Sequence, residues 1–184
     1  FQVPGIVFMP VTTPQQKIDK TRTFGGEFIT IRLVGDIFDQ CYAAARAHVE
    51  EIGGMMVPPF DDPDIIEGQA TVAAEIQAQL PPGVRPDLVV LPVGGGGLAS
   101  GVTGVLKNEI GPDGFVFVEP SGAPSLKRSL EAGELVRLPN VDNFVDGAAV
   151  AQIGHLNFDA LKSYSAGQVM LVPENAICVT MTEM

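Results

Sequence analysis

Short apolar segments alternate along the chain with longer segments in which apolar residues recur at helical spacing. The short segments are rich in strand-forming residues and are bounded by Gly or Pro, so they predict β-strands, and the longer ones predict α-helices. Strands that alternate with helices of about 10–15 residues are typical of crossover connections in a mostly parallel sheet. The pattern therefore predicts an α/β fold. The predicted strands are residues 5–10, 27–34, 55–59, 87–93, 115–118 and 169–172.

Capping and breaking residues mark several helix boundaries. Residues 13–16 and 64–67 have the side chains of capping boxes, which satisfy the first backbone N–H groups of a helix. Residues 38–52 have apolar positions at helical spacing and are followed by two glycines, which end the helix. These signals predict a helix after each of the first three strands. Further helices are predicted over residues 98–110, 124–132 and 158–165 and from residue 173 onward.

The fourth predicted strand, residues 87–93, is a nearly continuous run of Leu and Val. Such runs are typical of parallel strands that are buried on both faces, so we expect this strand inside the sheet. Residues 80–87, at its start, are rich in Pro and Gly and are a candidate junction between domains.

Composition and net charge argue against two classes of function, nucleic-acid binding and membrane association. Hydrophobic residues make up 46% of the chain and charged residues 18%, which is enough apolar material for a full core. A net charge of −11 repels nucleic-acid phosphates and anionic lipid surfaces. No apolar stretch approaches the ~20 residues that a membrane-spanning helix needs. We therefore expect a protein that binds neither nucleic acid nor membranes.

The two cysteines, Cys41 and Cys178, are far apart in the sequence and lie outside any metal-binding motif. Their spacing argues against a disulfide framework and against a cysteine-rich metal site. Because cysteine is among the residues most often buried, we expect two buried thiols. A pair of free thiols fits a reducing compartment, and we expect a cytoplasmic location.

Four consecutive glycines, Gly94, Gly95, Gly96 and Gly97, connect a predicted strand with a predicted helix. Glycine lets successive backbone N–H groups turn toward one point without Cβ collisions, and the helix start adds unpaired N–H groups and the positive end of its dipole. A tight turn alone needs one or two glycines rather than four. The segment therefore predicts an anion-binding site, and the expected ligand is a phosphate group.

Two common phosphate motifs fit this segment less well. A Walker A loop needs a lysine where Val102 stands, which disfavours nucleotide triphosphate hydrolysis. A dinucleotide fingerprint is closer, because Gly94, Gly96 and Ala99 have its looser spacing and Glu119 lies where a ribose-binding acid is expected. This second alternative stays open on the motif alone.

The glycine run and several other segments together resemble the threonine dehydratases (threonine ammonia-lyases) and their serine dehydratase and serine racemase relatives. These are fold-type II pyridoxal-phosphate enzymes with the tryptophan-synthase-β fold. The resemblance extends over essentially the whole chain. Its main segments are residues 9–10, 17–19, 35–39, 59–63, 68–69, 92–98, 118–120, 122–125 and 145–150.

The resemblance implies a three-layer αβα architecture with mostly parallel sheets, present here in incomplete form. It implies that residues 1–60 are the remainder of a small domain and that residues 61–184 belong to a large cofactor-binding domain, truncated at both chain ends. It also implies pyridoxal 5′-phosphate as the cofactor. The cofactor-binding residues that it implies are Gly94, Gly95, Gly96, Gly97, Leu98 and Gly147.

For function, the resemblance implies a lyase that deaminates L-threonine to 2-oxobutanoate and ammonia, the entry to isoleucine biosynthesis. L-Serine is the second substrate to consider, and a homo-oligomer is expected. Two alternatives remain: a relative that acts as serine dehydratase or racemase, and an inactive phosphate-binding fragment or pseudo-enzyme.

No lysine of the chain stands in the Ser-Phe/Tyr-Lys context that carries the Schiff base in these enzymes. The family's Schiff-base lysine is expected upstream of Phe1, and the residue that contacts the cofactor's ring nitrogen is expected after Met184. We therefore expect an internal fragment with no catalytic residue of its own, inactive in isolation. The lysines, all in helices predicted to be exposed, are Lys17, Lys20, Lys107, Lys127 and Lys162.

Glu119 is a weak metal candidate. In serine racemase-like relatives the equivalent glutamate joins a backbone carbonyl and an aspartate around a divalent cation, but Ser125 stands at the aspartate position here. One carboxylate makes a weak site for Mg²⁺ or Ca²⁺, so an ion pair or a helix cap is the favoured role of Glu119, and no metal is expected.

Other candidate chemistry is sparse. Asp61, Asp62 and Asp64 lie before and at a predicted helix start, where capping explains them better than a cation does. His48 and His155 have no Ser or Cys partner at a recognisable spacing, and the chain contains no Gly-x-Ser-x-Gly motif. A hydrolase triad is therefore not expected.

Overall fold

The computed structural model describes residues 2–183, and the chain divides into two compact units, Phe1–Val57 and Pro58–Met184. The α/β class is confirmed, because every paired strand has a parallel neighbour. The strands are β1 (Gly5–Met9), β2 (Ile29–Leu33), β3 (Val89–Pro92), β4 (Phe115–Pro120) and β5 (Val169–Val172). The helices are α1 (Gln15–Gly25), α2 (Phe38–Ile52), α3 (Pro63–Gln79), α4 (Gly97–Ile110), α5 (Ser125–Ala132), α6 (His155–Leu161) and α7 (Glu174–Glu183).

The first unit contains a two-stranded parallel sheet. Strand β1 pairs with β2 in a register that places Gly5 opposite Ile29. Helix α1 connects the two strands, as parallel pairing requires, and helix α2 follows β2. Ile18 of α1 and Cys41 and Ala45 of α2 are buried. These few buried side chains form a small apolar core.

The second unit is built on a three-stranded parallel sheet in the order β3-β4-β5. The central strand β4 contributes Phe115 and Phe117, which are fully buried. The ring of Tyr164 meets both phenyl rings edge-on, with centroids 5.8 and 5.1 Å away. Edge-to-face contacts of this kind are favourable for aromatic pairs. The aromatic cluster anchors a core that also includes Leu106, Leu126 and Leu161.

Helices α3 and α4 approach each other at Gly101. A Cβ atom at this position would lie 2.6 Å from the backbone nitrogen of Ala70 and 2.7 Å from the carbonyl oxygen of Ile66. Glycine is needed here because the two helix backbones leave no room for a side chain. This contact sets the position of α4, which begins at the glycine run.

Two strand predictions are wrong. Residues 55–59 form no strand in the described structure, and Met55 and Val57 are 86% and 64% exposed. A strand is stabilised by hydrogen bonds to a neighbour, and this segment pairs with neither β1 nor β2. Strand β3 is an edge strand within the described sheet, so Val90 is 56% exposed although burial on both faces was expected.

Three helix starts also differ from the predictions, and one of them is that of α6, which covers His155–Leu161 rather than residues 158–165. Helix α1 has Pro14 at its N-cap and no side-chain cap, so residues 13–16 do not form a capping box. Helix α3 starts at Pro63, because the carboxylate of Asp62 accepts a hydrogen bond from the Asp64 N–H at 2.9 Å. The cap lies two residues earlier than the capping-box pattern indicates.

The structure also tests the predictions about the domain junction, the cysteines and membrane-spanning helices. Residues 80–87 connect α3 with β3 inside the second unit, so they are not the boundary between the two units. Cys41 is buried but Cys178 is exposed, which corrects the expectation of two buried thiols. Among residues 2–183, no helix is both long and apolar enough to cross a membrane.

Candidate functional site

The four glycines lie at the junction of β3 and α4. Strand β3 ends at Pro92, and the next N–H, of Val93, donates to the Val118 carbonyl of β4 at 2.8 Å. Gly96 is the N-cap of α4 and has a φ angle of 94°. This left-handed conformation strongly favours glycine. The chain therefore turns from sheet to helix within the glycine run.

The backbone of the glycine run is closely surrounded. A Cβ atom at Gly94 would lie 3.0 Å from the Cα atom of Ala148, and one at Gly95 would overlap the ring of Phe60. At Gly96 it would lie 2.8 Å from the Cβ atom of Asn157. Glycine is therefore required at these three positions, because Ala148, Phe60 and Asn157 pack directly against the loop backbone and leave no room for a side chain.

Backbone N–H donors also lie at the start of α4. This helix has no side-chain cap. The N–H groups of its N-cap and first three residues have no acceptor within the helix, and they carry the positive end of the helix dipole. The four groups belong to Gly96, Gly97, Leu98 and Ala99. This donor set can bind an anion.

The structure brings Gly147 to the glycine run. Its carbonyl oxygen lies 3.3 Å from the position that a Cβ atom of Gly94 would take. Gly147 is itself exposed in a turn, whereas Gly96 and Gly97 are buried and Leu98 is half-buried against the core. All six residues that the resemblance implies for the cofactor thus belong to one region of the second unit.

Hydrogen bonds that the sequence does not predict connect the glycine run with residues 60–61 and with the start of α6. The Asn157 side-chain amide donates to the carbonyl oxygens of Gly95 and Phe60, each at 3.0 Å. The Asp61 carboxylate accepts from the N–H groups of His155 and Leu156, at 3.0 and 2.9 Å. Asp61 therefore caps α6 rather than α3. The partners are more than 60 residues apart in sequence, so no local pattern reveals these contacts.

Glu119 is fully buried and acts as a helix cap. Its two carboxylate oxygens accept the N–H groups of Leu126 at 2.7 Å and Lys127 at 3.0 Å, in the first turn of α5. Burial raises the pKa of Glu119 to about 7, although these two donors, the Ser125 side chain and the Lys127 charge oppose the shift. Both oxygens are thus used by the helix start.

Two lysines of the second unit have defined partners. The Lys127 ammonium donates to the Val169 carbonyl at 2.9 Å and is half-buried, which corrects its predicted exposure. The Lys162 ammonium pairs with the Asp159 carboxylate at 2.8 Å. Both ammonium groups are thus held by oxygen acceptors outside the glycine run.

Comparison with known proteins decides between the phosphate-binding classes. The family model for pyridoxal-phosphate dependent enzymes matches residues 1–184. The chain belongs to this family. Membership excludes the dinucleotide alternative, and the glycine run fits the family's cofactor, whose phosphate group suits a loop of backbone N–H donors.

The curated relatives of this family member include biosynthetic L-threonine dehydratases. The one from Mycobacterium bovis is 44% identical over 99% of this chain, and the one from Bacillus subtilis is 43% identical over 99%. The chain spans 42% of the length of each. It is thus similar to less than half of these proteins.

Solved structures of a threonine deaminase and of a serine racemase share the fold. The processed threonine deaminase isoform 2 of Solanum lycopersicum superposes with a TM-score of 0.76 and 42% identity, over 92% of this chain and 45% of that one. Maize serine racemase superposes with a TM-score of 0.81 and 27% identity, over 97% and 52%. The predicted tryptophan-synthase-β-like architecture is confirmed by these neighbours.

Proposed function

We propose that this chain is part of an L-threonine dehydratase that deaminates L-threonine to 2-oxobutanoate and ammonia. The observation that carries the proposal is the 44% identity to a biosynthetic L-threonine dehydratase over 99% of this chain. The names of these relatives also support a role in isoleucine biosynthesis. We further propose a cytoplasmic location, because a pair of free thiols fits a reducing compartment. The overall reaction consumes no net water, because the water lost from the β-carbon is regained when ammonia is released.

The glycine run is the proposed phosphate site. Gly94, Gly95, Gly96 and Gly97, with Leu98, would hold the 5′-phosphate of pyridoxal phosphate by backbone N–H groups, and Gly147 would lie beside its ring. When bound, this cofactor withdraws electrons from the α-carbon of an amino acid. The chain's own contribution would be to bind the phosphate and to fix the cofactor's position.

The two compact units support an assignment of the chain to two domains. We propose that residues 1–60 belong to the small domain of the enzyme and that residues 61–184 belong to the cofactor-binding domain. The contact boundary falls between Val57 and Pro58, close to this division. The glycine run, Gly147 and the network around Asn157 all lie in the second unit.

We propose that none of the chain's own lysines anchors the cofactor. Lys127 and Lys162 are held by hydrogen-bond acceptors, as described above, and Lys17, Lys20 and Lys107 lie in exposed positions on helices. In each case the ammonium group is exposed or is engaged by acceptors outside the glycine run.

The proposal is tested by assaying the whole protein that carries this chain with L-threonine and with L-serine. We expect release of 2-oxobutanoate from L-threonine that depends on added pyridoxal 5′-phosphate. Production of D-serine without keto acid would favour the racemase alternative, for which the maize enzyme is the structural precedent. Cofactor binding without turnover of either amino acid would favour an inactive phosphate-binding protein.

A further inference from the structure

The Gly95 carbonyl oxygen accepts two hydrogen bonds from one neighbouring segment. The backbone N–H of Gly154 donates to it at 3.1 Å, and the Asn157 side-chain amide donates at 3.0 Å. Asn157 is fully buried, so water does not compete for its amide. Buried hydrogen bonds of this kind hold a defined geometry. The Gly95 carbonyl therefore has a fixed direction.

This direction also determines where the next N–H group points. The Gly95 carbonyl and the Gly96 N–H belong to one peptide unit, which is planar and trans, so the two groups point to opposite sides. In a run of glycines, such a peptide unit can flip at a low cost in free energy unless hydrogen bonds fix its orientation. The bonds to Gly95 thus keep the Gly96 N–H directed away from residues 154–157.

We propose that Asn157 is a positioning residue of the phosphate site. By holding the Gly95 carbonyl it directs the Gly96 N–H toward the bound phosphate group. This inference rests on the proposed function, because it assigns the anion to the glycine run. Asn157 itself does not touch the ligand, and its effect passes through one peptide unit.

Asp61 and Gly154 place the Asn157 side chain. The Asp61 carboxylate fixes the first turn of α6 through the His155 and Leu156 N–H groups, just before Asn157. A Cβ atom at Gly154 would lie 2.6 Å from the Asn157 amide nitrogen and 2.6 Å from an Asp61 oxygen. The segment is therefore packed so closely that the Asn157 amide has little freedom to move.

The test compares two ligands that differ only in the phosphate group. Dissociation constants of pyridoxal 5′-phosphate and of pyridoxal are measured on the whole protein and on Asn157→Leu, which keeps the volume but removes the donors. We expect the preference for the phosphorylated ligand to fall at least about tenfold, with the pyridoxal affinity unchanged. The matched control is Asn108→Leu on the exposed side of α4, which should keep the wild-type preference.

The outcomes separate the possibilities. Equal losses for both ligands, or an unchanged preference, would overturn the positioning role of Asn157. If the wild-type protein itself has no preference for the phosphorylated ligand, the proposed function fails instead. Should Asn157→Leu not fold, Asp61→Asn keeps the side-chain volume and weakens the cap that places Asn157. We expect it to lower the preference about threefold, and a wild-type preference in that variant would also overturn the role.

Discussion

The carboxylate of Glu119 accepts the backbone N–H of Leu126 at 2.7 Å and so connects the end of β4 with the start of α5. A second oxygen accepts the Lys127 N–H at 3.0 Å. The side chain is fully buried, so its charge is separated from water. This cap is local in sequence, but its burial is a property of the packed sheet and helix.

The burial of Glu119 predicts a pH-dependent stability. Its pKa is about 7 in the fold, above the ordinary value of 4.5, so the folded protein binds a proton that the unfolded chain has released between these values. The contribution is fully present below about pH 4.5, and the free energy of unfolding should fall as the pH rises to about 7. Denaturant unfolding from pH 4.5 to 8 measures it, and Glu119→Gln should lack this slope.

The matched control for that measurement is Glu134→Gln, at an exposed position. It should follow the wild-type pH profile. Parallel profiles for the wild type and Glu119→Gln would contradict the prediction.

Replacement of Gly96 by valine should abolish tight phosphate binding. The φ angle of 94° disfavours any side chain, and a Cβ atom would lie 2.8 Å from Asn157 and 2.9 Å from Ile153. We expect Gly96→Val to weaken pyridoxal 5′-phosphate binding by more than tenfold, corresponding to about 1.4 kcal/mol or more. Cofactor titration of the whole protein measures it. Gly104→Val, at a helical glycine with open space around it, is the control, and an equal loss in both variants would refute the prediction.

The contact between α3 and α4 predicts a large stability effect at Gly101. Because a Cβ atom would meet the backbone of α3, Gly101→Ala should lower the free energy of unfolding by about 1–3 kcal/mol. Gly104→Ala in the same helix should raise it by up to about 1 kcal/mol, since alanine has the better helix propensity. Thermal or denaturant unfolding of the two variants decides the matter, and a stabilised Gly101→Ala would show that the helices separate easily.

The surroundings of the lysines predict the result of chemical trapping. Incubation of the 184-residue chain with pyridoxal 5′-phosphate, followed by borohydride reduction, should give only weak labelling spread over several lysines. The reason is that four of the five lysines are similarly exposed and Lys127 is engaged by the Val169 carbonyl, so no single lysine is favoured as the site of reaction. Peptide mapping by mass spectrometry measures the distribution. A stoichiometric adduct on one lysine, with 2-oxobutanoate formed from L-threonine, would contradict the prediction.

Apart from the strand expected over residues 55–59, the sequence by itself determined the order of the elements, and it determined the glycine composition of the loop. Helix α2 and strand β5 have the predicted bounds, and the glycine run lies between a strand and a helix as expected. Both properties depend on local causes: the period of the apolar residues, the residues that start and end helices, and the backbone freedom of glycine. Such causes act over a few residues and are therefore readable without a structure.

The tertiary structure alone decided which groups meet. Residues 55–59 have the composition of a strand but no partner in the described sheet, and strand formation requires one. Asp61 caps α6 from 94 residues away, and Asn157 reaches Gly95 across 62 residues. Hydrogen bonds of this kind leave no periodic trace in the sequence, because only the packing of three distant segments brings donor and acceptor together.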